Sequence, residues 1–208
     1  MTQREKIISQ AADMFVELGI KSIRMDDIAG ALGISKRTLY EMFADKEELL
    51  YLCITHLQER DWNMVDSATA GCTDLVEALF TSFRVILDNS ERRRRMSTNL
   101  QKFYPQLYAR VAEQSVRTSL ARLRSTMNLY IAEGLFSKNI DVDLSITIFY
   151  YTAVNIFGRM NNVVLPDGVT EKKAFMYTMV HFFRGLSTAR GMELIDQYIE
   201  RHAKDEVK

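Results

Sequence analysis

The fold of the N-terminal region is decided by one short segment, IAGALGIS at residues 28–35. Two helices that cross at a steep angle need a small residue at their contact, and Ala29 provides it. Four residues later the turn needs a positive φ, which Gly33 can adopt because it has no Cβ. Leu39 then lies on the second helix, where it can close a small apolar core. The segment therefore predicts a helix-turn-helix.

Helix-start signals lie on both sides of this segment. Thr2 followed by Glu5 has the spacing of a capping box, and apolar residues then recur at three- and four-residue intervals. Ser35 is placed to cap the helix after the turn, and Asp45 with Glu48 forms a second capping-box pattern. The helices predicted for this region cover about 3–18, 25–32 and 36–43, with a fourth from 46 onward.

The rest of the chain also reads as helix. Only two prolines and nine glycines interrupt 208 residues, and runs of alternating β-branched residues are absent. We therefore predict an all-α protein, with an N-terminal helix-turn-helix domain of three helices at 1–48 and a C-terminal helical domain at 49–208. Further helices are predicted near 73–89, 92–101, 105–133, 142–160, 170–188 and 191–204.

Charge and hydropathy restrict the class of protein. The net charge is zero, and the first fifty residues hold seven Lys and Arg against nine Asp and Glu, which argues mildly against a nucleic-acid partner. The N-terminus is charged where a signal peptide would be apolar. The most apolar stretch, 146–157, is shorter than a membrane-spanning helix. We expect a cytoplasmic protein without a membrane partner.

The residues that usually carry catalysis or bind metals are scattered. Cys53 and Cys72 have no zinc-ligand spacing, and Cys53 falls on an apolar helical face where cysteine is usually a core residue. A redox pair of these two remains an alternative. His56, His181 and His202 have no neighbouring carboxylate or cysteine that would suggest a triad or ligand set. We predict no enzyme activity, no metal and no cofactor.

Residues 4–50 resemble the DNA-binding domain of the tetracycline-repressor (TetR) family. Many positions at fixed spacing carry this resemblance, which covers about a quarter of the chain. The family's other features, a helical C-terminal ligand domain and a two-fold dimer, agree with the length and helix count only. The matching positions are Ile7, Ile8, Ala11, Ala12, Phe15, Gly19, Ile20, Met25, Asp27, Ile28, Ala29, Gly33, Ile34, Ser35, Lys36, Thr38, Leu39, Tyr40, Phe43, Lys46, Glu47, Glu48, Leu49 and Leu50.

The resemblance implies that 35–43 is a recognition helix in the DNA major groove. Its outward side chains include donors of the right length for bases and phosphates. Glu41 is expected to face solvent or to pair within the protein. Arg24 stands where the family usually has Thr or Ser, so it cannot cap its helix in the same way, but it could contact phosphate. The implied DNA-binding residues are Arg24, Ser35, Lys36, Arg37, Thr38, Tyr40 and Lys46.

The C-terminal region is rich in aromatic residues and methionine, which suit a core, a dimer interface or a pocket for a bulky apolar ligand. We expect a homodimer formed by the helices near 142–160 and 170–188, because both are unusually apolar. The candidate pocket residues are Trp62, Met96, Phe103, Tyr104, Tyr150, Tyr151, Asn155 and Met176. The run Arg92–Arg95 is expected to be a solvated helix start with salt bridges rather than an anion site.

These observations predict a dimeric repressor that leaves a near-palindromic operator when a small, largely apolar effector binds. An activator of the same architecture is an alternative. A helical enzyme or ligand carrier with an incidental helix-turn-helix is another, for which Glu133, Asp141 and Asp143 are the acidic candidates. The last alternative is a dimeric adaptor that binds a protein through its basic helix face.

Overall fold

The computed structural model describes residues 1–158 and 165–202. Helices form nearly all regular structure in these residues, and one isolated bridge pairs Phe136 with Ser187. The predicted all-α class is confirmed, and each helix begins within two residues of its predicted start. The helices are α1 Gln3–Leu18, α2 Met25–Ala31, α3 Lys36–Met42, α4 Lys46–Thr69, α5 Leu75–Asp88, α6 Ser90–Phe103, α7 Pro105–Ala132, α8 Val142–Gly158, α9 Glu171–Leu186 and α10 Ala189–His202.

Helix α1 shows why local signals predicted these bounds so well. The Thr2 hydroxyl accepts a hydrogen bond from the Glu5 amide at 3.2 Å, and the Glu5 carboxylate accepts one from the Thr2 amide at 2.7 Å. The predicted capping box is therefore present. Gly19, with φ of +83°, follows the last helical residue. None of the described helices is both long enough and apolar enough to span a bilayer.

The described residues form two compact units, and unit 1 comprises 1–66 and 88–115. Its core joins apolar residues of α1 to α4 with Leu100 of α6 and with Leu107 and Val111 of α7. This unit is larger than the predicted domain 1–48, because it also contains most of α4, α6 and the start of α7. The sequence did not predict this, since no local pattern shows that α6 and α7 return to the N-terminal core. The functional division at residue 48 stays a prediction.

Unit 2 comprises 67–87 and the described residues from 116 onward. Aromatic rings fill its core: the Phe83 centroid lies 5.3–5.8 Å from those of Phe149, Phe175 and Phe183. Several apolar residues of α8 and α9, the helices that were predicted to form the dimer, are buried within this unit. They are Ile146, Phe149, Phe175, Met179 and Phe183.

Asp61 of α4 is the one charged side chain that is buried in the described part of the chain. Arg92 of α6 donates a hydrogen bond from Nη2 to its Oδ1, and Arg93 Nε lies 3.7 Å from its Oδ2. Burial lowers the pKa of the Arg93 guanidinium, and the Asp61 charge opposes this shift. A desolvated carboxylate thus ties α4 to α6 within unit 1.

The other two arginines of the run at 92–95 have a different partner. Arg94 and Arg95 both pair with Glu91, one turn earlier on α6. Adjacent residues on a helix point in different directions, so the run divides between two acids. The expected salt bridges to a neighbouring acid are confirmed for Arg94 and Arg95. Arg92 and Arg93 are half-buried against Asp61 rather than solvated, and this contact could not be identified from the sequence.

We expect Asp61→Asn to lower the free energy of unfolding by about 2–3 kcal/mol, because it leaves the half-buried Arg92 and Arg93 without their carboxylate. Urea titration at fixed protein concentration measures this loss. Glu91→Gln is the control, since Glu91 lies on the surface, and it should leave the unfolding midpoint unchanged within error. Equal losses in the two variants would contradict a special role for the buried carboxylate.

Candidate nucleic-acid interface

The turn between α2 and α3 is closed by two backbone hydrogen bonds. The Ile34 amide donates to the Ala29 carbonyl at 3.0 Å, and the Gly33 amide donates to the Gly30 carbonyl at 3.2 Å. These bonds define a Schellman motif, in which the residue after the helix adopts a left-handed conformation. Gly33 is that residue, with φ of +64°. The predicted compact bend at Gly33 is confirmed.

Helix α3 is anchored at its start and along one side. Ser35 is its N-cap, and the Ser35 hydroxyl accepts a hydrogen bond from the Thr38 amide at 3.0 Å. The Ser35 and Thr38 hydroxyls are also bonded to each other at 2.8 Å. Leu39 and Phe43 are buried in the core of unit 1. Because these two side chains fix the inner side of α3, the opposite side faces outward.

The outward side of α3 carries most of the predicted DNA contacts. The Arg37 side chain is 88% exposed, and Lys36 is also exposed. Tyr40 is half-exposed, one turn further along the helix. The structure therefore brings together five of the seven predicted residues on one short helix and its cap: Ser35, Lys36, Arg37, Thr38 and Tyr40.

Both cations on α3 are paired with carboxylates of the same chain. Lys36 Nζ contacts Asp26 Oδ2 across the turn, from α3 to α2. Arg37 Nε donates to Glu41 Oε1 at 2.8 Å, one turn along α3. The expectation that Glu41 pairs within the protein is confirmed. The Asp26 contact was missed, because nothing local relates residues ten apart on different helices.

Arg24 occupies the N-cap position of α2 without capping it. Its side chain makes no cap hydrogen bond, and the backbone amide of Arg24 instead donates to Asp27 Oδ2 at 2.8 Å. The helix start is thus satisfied by a carboxylate from inside α2. This explains how an arginine is tolerated there. A phosphate contact by its exposed side chain stays a prediction.

Lys46 is held within the protein at the start of α4. Its Nζ donates to the Ile20 carbonyl at 2.6 Å and lies 5.8 Å from the centroid of the Phe15 ring. Burial lowers the pKa of the Lys46 ammonium, and the Asp27 charge partly opposes this. A phosphate contact by Lys46 stays a prediction, and it would have to share or replace the Ile20 bond.

The start of α4 has the predicted cap with one difference. Asp45 Oδ1 accepts a hydrogen bond from the Glu48 amide at 2.8 Å, as expected. The Glu48 carboxylate accepts a return bond from the Ala44 amide at 2.7 Å, whereas a strict capping box would use Asp45.

The predicted ligand-pocket residues are divided between the two units. Met96 and Tyr104 pack against the unit 1 core, Met176 is buried in unit 2, and Tyr151 is 71% exposed. Their role in binding a ligand stays a prediction, and the side chain of Asn155 lies outside the described residues. Unit 1 contains Trp62, Met96, Phe103 and Tyr104, and unit 2 contains Tyr150, Tyr151 and Met176.

The cysteines and the possible metal ligands were the other candidate sites. No group of three His, Cys, Asp or Glu side chains that could hold a metal occurs among the described residues. The buried Cys53 thiol donates to the Ile8 carbonyl at 3.4 Å, and burial raises its pKa. Cys72 is a second free cysteine and lies in unit 2. The expectation that Cys53 is a core residue is confirmed.

Comparison with known proteins gives a consistent set of relatives. The family model for bacterial regulatory proteins of the tetR family matches residues 7–51. The HTH-type transcriptional repressor KstR2 of Mycobacterium tuberculosis is 30% identical over 148 residues, which are 69% of this chain and 74% of KstR2. The solved structure of ketosteroid transcriptional regulator KstR2 from M. tuberculosis has a TM-score of 0.53 at 20% identity, covering 90% of this chain and 96% of that one.

Two further solved structures share the fold. A transcriptional regulator from Cytophaga hutchinsonii has a TM-score of 0.73 at 18% identity, covering 88% of this chain and 98% of that one. The fatty acid degradation regulator FadR from Bacillus halodurans has a TM-score of 0.61 at 18% identity, covering 88% and 95%. The similarity in fold thus extends well beyond the helix-turn-helix.

Gly33→Ala should lower the free energy of unfolding by about 1–2 kcal/mol, because an L-residue is disfavoured at this left-handed position. No clash contributes, since a Cβ at Gly33 would have no neighbour within 4 Å. Gly30→Ala is the matched control: Gly30 is helical and equally open, so alanine should stabilise by about 0.5–1 kcal/mol. Denaturant titrations that gave both variants the same sign would refute the backbone explanation.

Proposed function

The chain belongs to the TetR family of bacterial regulatory proteins, and on this premise we propose that it is a dimeric repressor released from its operator by a small, largely apolar effector. The observation that carries the proposal is the outward side of α3, which exposes Lys36, Arg37 and Tyr40 directly after the hydrogen-bonded turn at Gly33. Its sequence relative KstR2 is a repressor, which favours repression over activation. We propose a cytoplasmic and regulatory role rather than an enzymatic one.

We propose that α3 enters the major groove and that its side chains have different tasks there. Arg37 can donate two parallel hydrogen bonds to guanine O6 and N7, which is the commonest base-specific contact. Tyr40 and Thr38 carry hydroxyls suited to phosphate, which fixes position but carries no sequence information. In a two-fold dimer the two α3 helices would read half-sites about 34–36 Å apart. Because the dimer is two-fold symmetric, the operator would be near-palindromic.

We propose that the dimer forms through α8 and α9. Leu144, Ile148 and Tyr151 lie four and three residues apart on α8, so they share one face, and all three are exposed. Tyr177 is exposed on α9, which packs against α8. An apolar face of this kind on unit 2 supports burial against a second copy, because soluble proteins seldom leave large apolar patches in water.

The proposed effector is a bulky, largely apolar small molecule. KstR2 of M. tuberculosis is a ketosteroid transcriptional regulator, and a ketosteroid has this chemical character. The aromatic and methionine side chains predicted to line a pocket could adapt to such a shape. Reciprocal linkage then requires that effector and operator weaken each other's binding by the same factor.

The test of the DNA-binding function is selection of bound fragments from genomic DNA with the purified protein, followed by two substitutions. Arg37→Ala should relax the base preference at one operator position by about 1–3 kcal/mol. Tyr40→Phe should weaken binding to all duplexes alike, since a phosphate contact carries no code. Recovery of no preferred sequence, or an unchanged preference in Arg37→Ala, would overturn the proposed reading role.

The dimer interface is tested by placing a charge on its proposed centre. Ile148→Glu should raise the dimer dissociation constant by roughly 100-fold, because each protomer would bury an unpaired carboxylate. Sedimentation velocity over a concentration series measures this. Leu129→Glu is the matched control, because Leu129 is an equally exposed leucine on α7 and should leave the dimer intact. Dissociation by Leu129→Glu alone would place the interface elsewhere.

A further inference from the structure

We propose that Asp26 and Glu41 determine specificity, because their carboxylates neutralise Lys36 and Arg37 whenever α3 is not on its operator. Both residues would thereby suppress binding to DNA of unrelated sequence. This inference rests on the proposed DNA-reading role of α3. Asp26 and Glu41 have no proposed DNA contact. The inference adds them to the residues that control DNA recognition.

The charge balance of the N-terminal region motivates this proposal. The first fifty residues contain more carboxylates than cations, which is unexpected for a domain that binds a polyanion. Several of these acids are accounted for by helix starts, where Glu5, Asp27, Asp45 and Glu48 accept backbone hydrogen bonds. Asp26 and Glu41 are different, because they pair with the outward cations of α3.

Glu41 leaves the base-reading edge of Arg37 available. The hydrogen bond from Arg37 to Glu41 uses Nε, at 2.8 Å. The guanidinium is a planar fork with five donors, so Nη1 and Nη2 can still make a bidentate contact with guanine. The pair is therefore compatible with a correct base sequence.

Asp26 acts on the neighbouring cation from the other helix of the motif. Lys36 Nζ reaches back from the first residue of α3 to the Asp26 carboxylate on α2. A phosphate that attracts this ammonium must compete with a carboxylate already in contact with it. The same phosphate also meets the negative charge of Asp26, which opposes its approach.

Because the two ion pairs are exposed, they would weaken binding to unrelated DNA more than binding to the operator. Side-chain exposure is 88% and 60% for Arg37 and Glu41, and 64% and 48% for Lys36 and Asp26. Ion pairs this exposed contribute little to stability, so they rearrange at small cost. On the operator that cost is offset by base contacts. On unrelated DNA no base contact offsets it, and carboxylate and phosphate are left to repel each other.

The test measures affinity for two duplexes of equal length, the operator recovered by genomic selection and a scrambled sequence. Asp26→Asn and Glu41→Gln should each tighten binding to the scrambled duplex about three- to tenfold near 50 mM salt, with a steeper salt dependence. Operator affinity should change by about twofold or less, so the specificity ratio falls. Glu193→Gln is the control, because it makes the same charge change at an exposed position of α10 in unit 2.

The possible outcomes distinguish a failure of this inference from a failure of the proposed regulator function. A specificity ratio that is unchanged in both variants, or that falls equally in Glu193→Gln, overturns the role of Asp26 and Glu41. Parallel weakening on both duplexes also overturns it, since that is the result of a structural role alone. A wild-type protein that binds the two duplexes equally would instead refute the proposed regulator function itself.

Discussion

The backbone conformation of Gly33 is the constraint on which the rest of the N-terminal structure depends. Its positive φ allows the Ile34 amide to reach the Ala29 carbonyl, so that α2 ends and the chain turns within three residues. Leu39 and Ala29 can then both be buried in the core of unit 1. If the turn opened, the inner face of α3 would lose its burial and the orientation of its outer face would no longer be defined.

The same region shows why overall charge is a poor guide to a DNA partner. Carboxylates are used locally in this chain, as caps for helix starts and as partners for the cations of α3. A count of charges cannot distinguish an acid that accepts a backbone hydrogen bond from one that repels a phosphate. The spacing of apolar residues around Gly33 indicated the fold correctly because it reflects packing, which composition does not describe.

Local and long-range features differed in how far the sequence could predict them. Helix starts at Thr2, Ser35 and Asp45 were predictable because a cap and its partner lie within four residues. The return of Leu100 and Val111 to the N-terminal core, and the contact of Arg92 with Asp61, were not, because they join distant parts of the chain. The candidate pocket residues stay a prediction for a related reason, since aromatic residues look alike in sequence whether they fill a core or line a cavity.

The pairing of the α3 cations with carboxylates also bears on how an effector would release the protein from DNA. Coupling between an effector and a DNA site typically amounts to about 1–3 kcal/mol, or a change of about 5- to 150-fold in affinity. A strongly basic surface would bind any DNA tightly through its phosphates, and a coupling of that size would only move the repressor from its operator to neighbouring sequence. In the arrangement that we propose, pairing of Lys36 and Arg37 with Asp26 and Glu41 would reduce the phosphate contribution, so a larger share of the binding free energy would come from correct base contacts. Loss of those contacts would then weaken binding to all DNA, so that a modest coupling would be sufficient to release the protein.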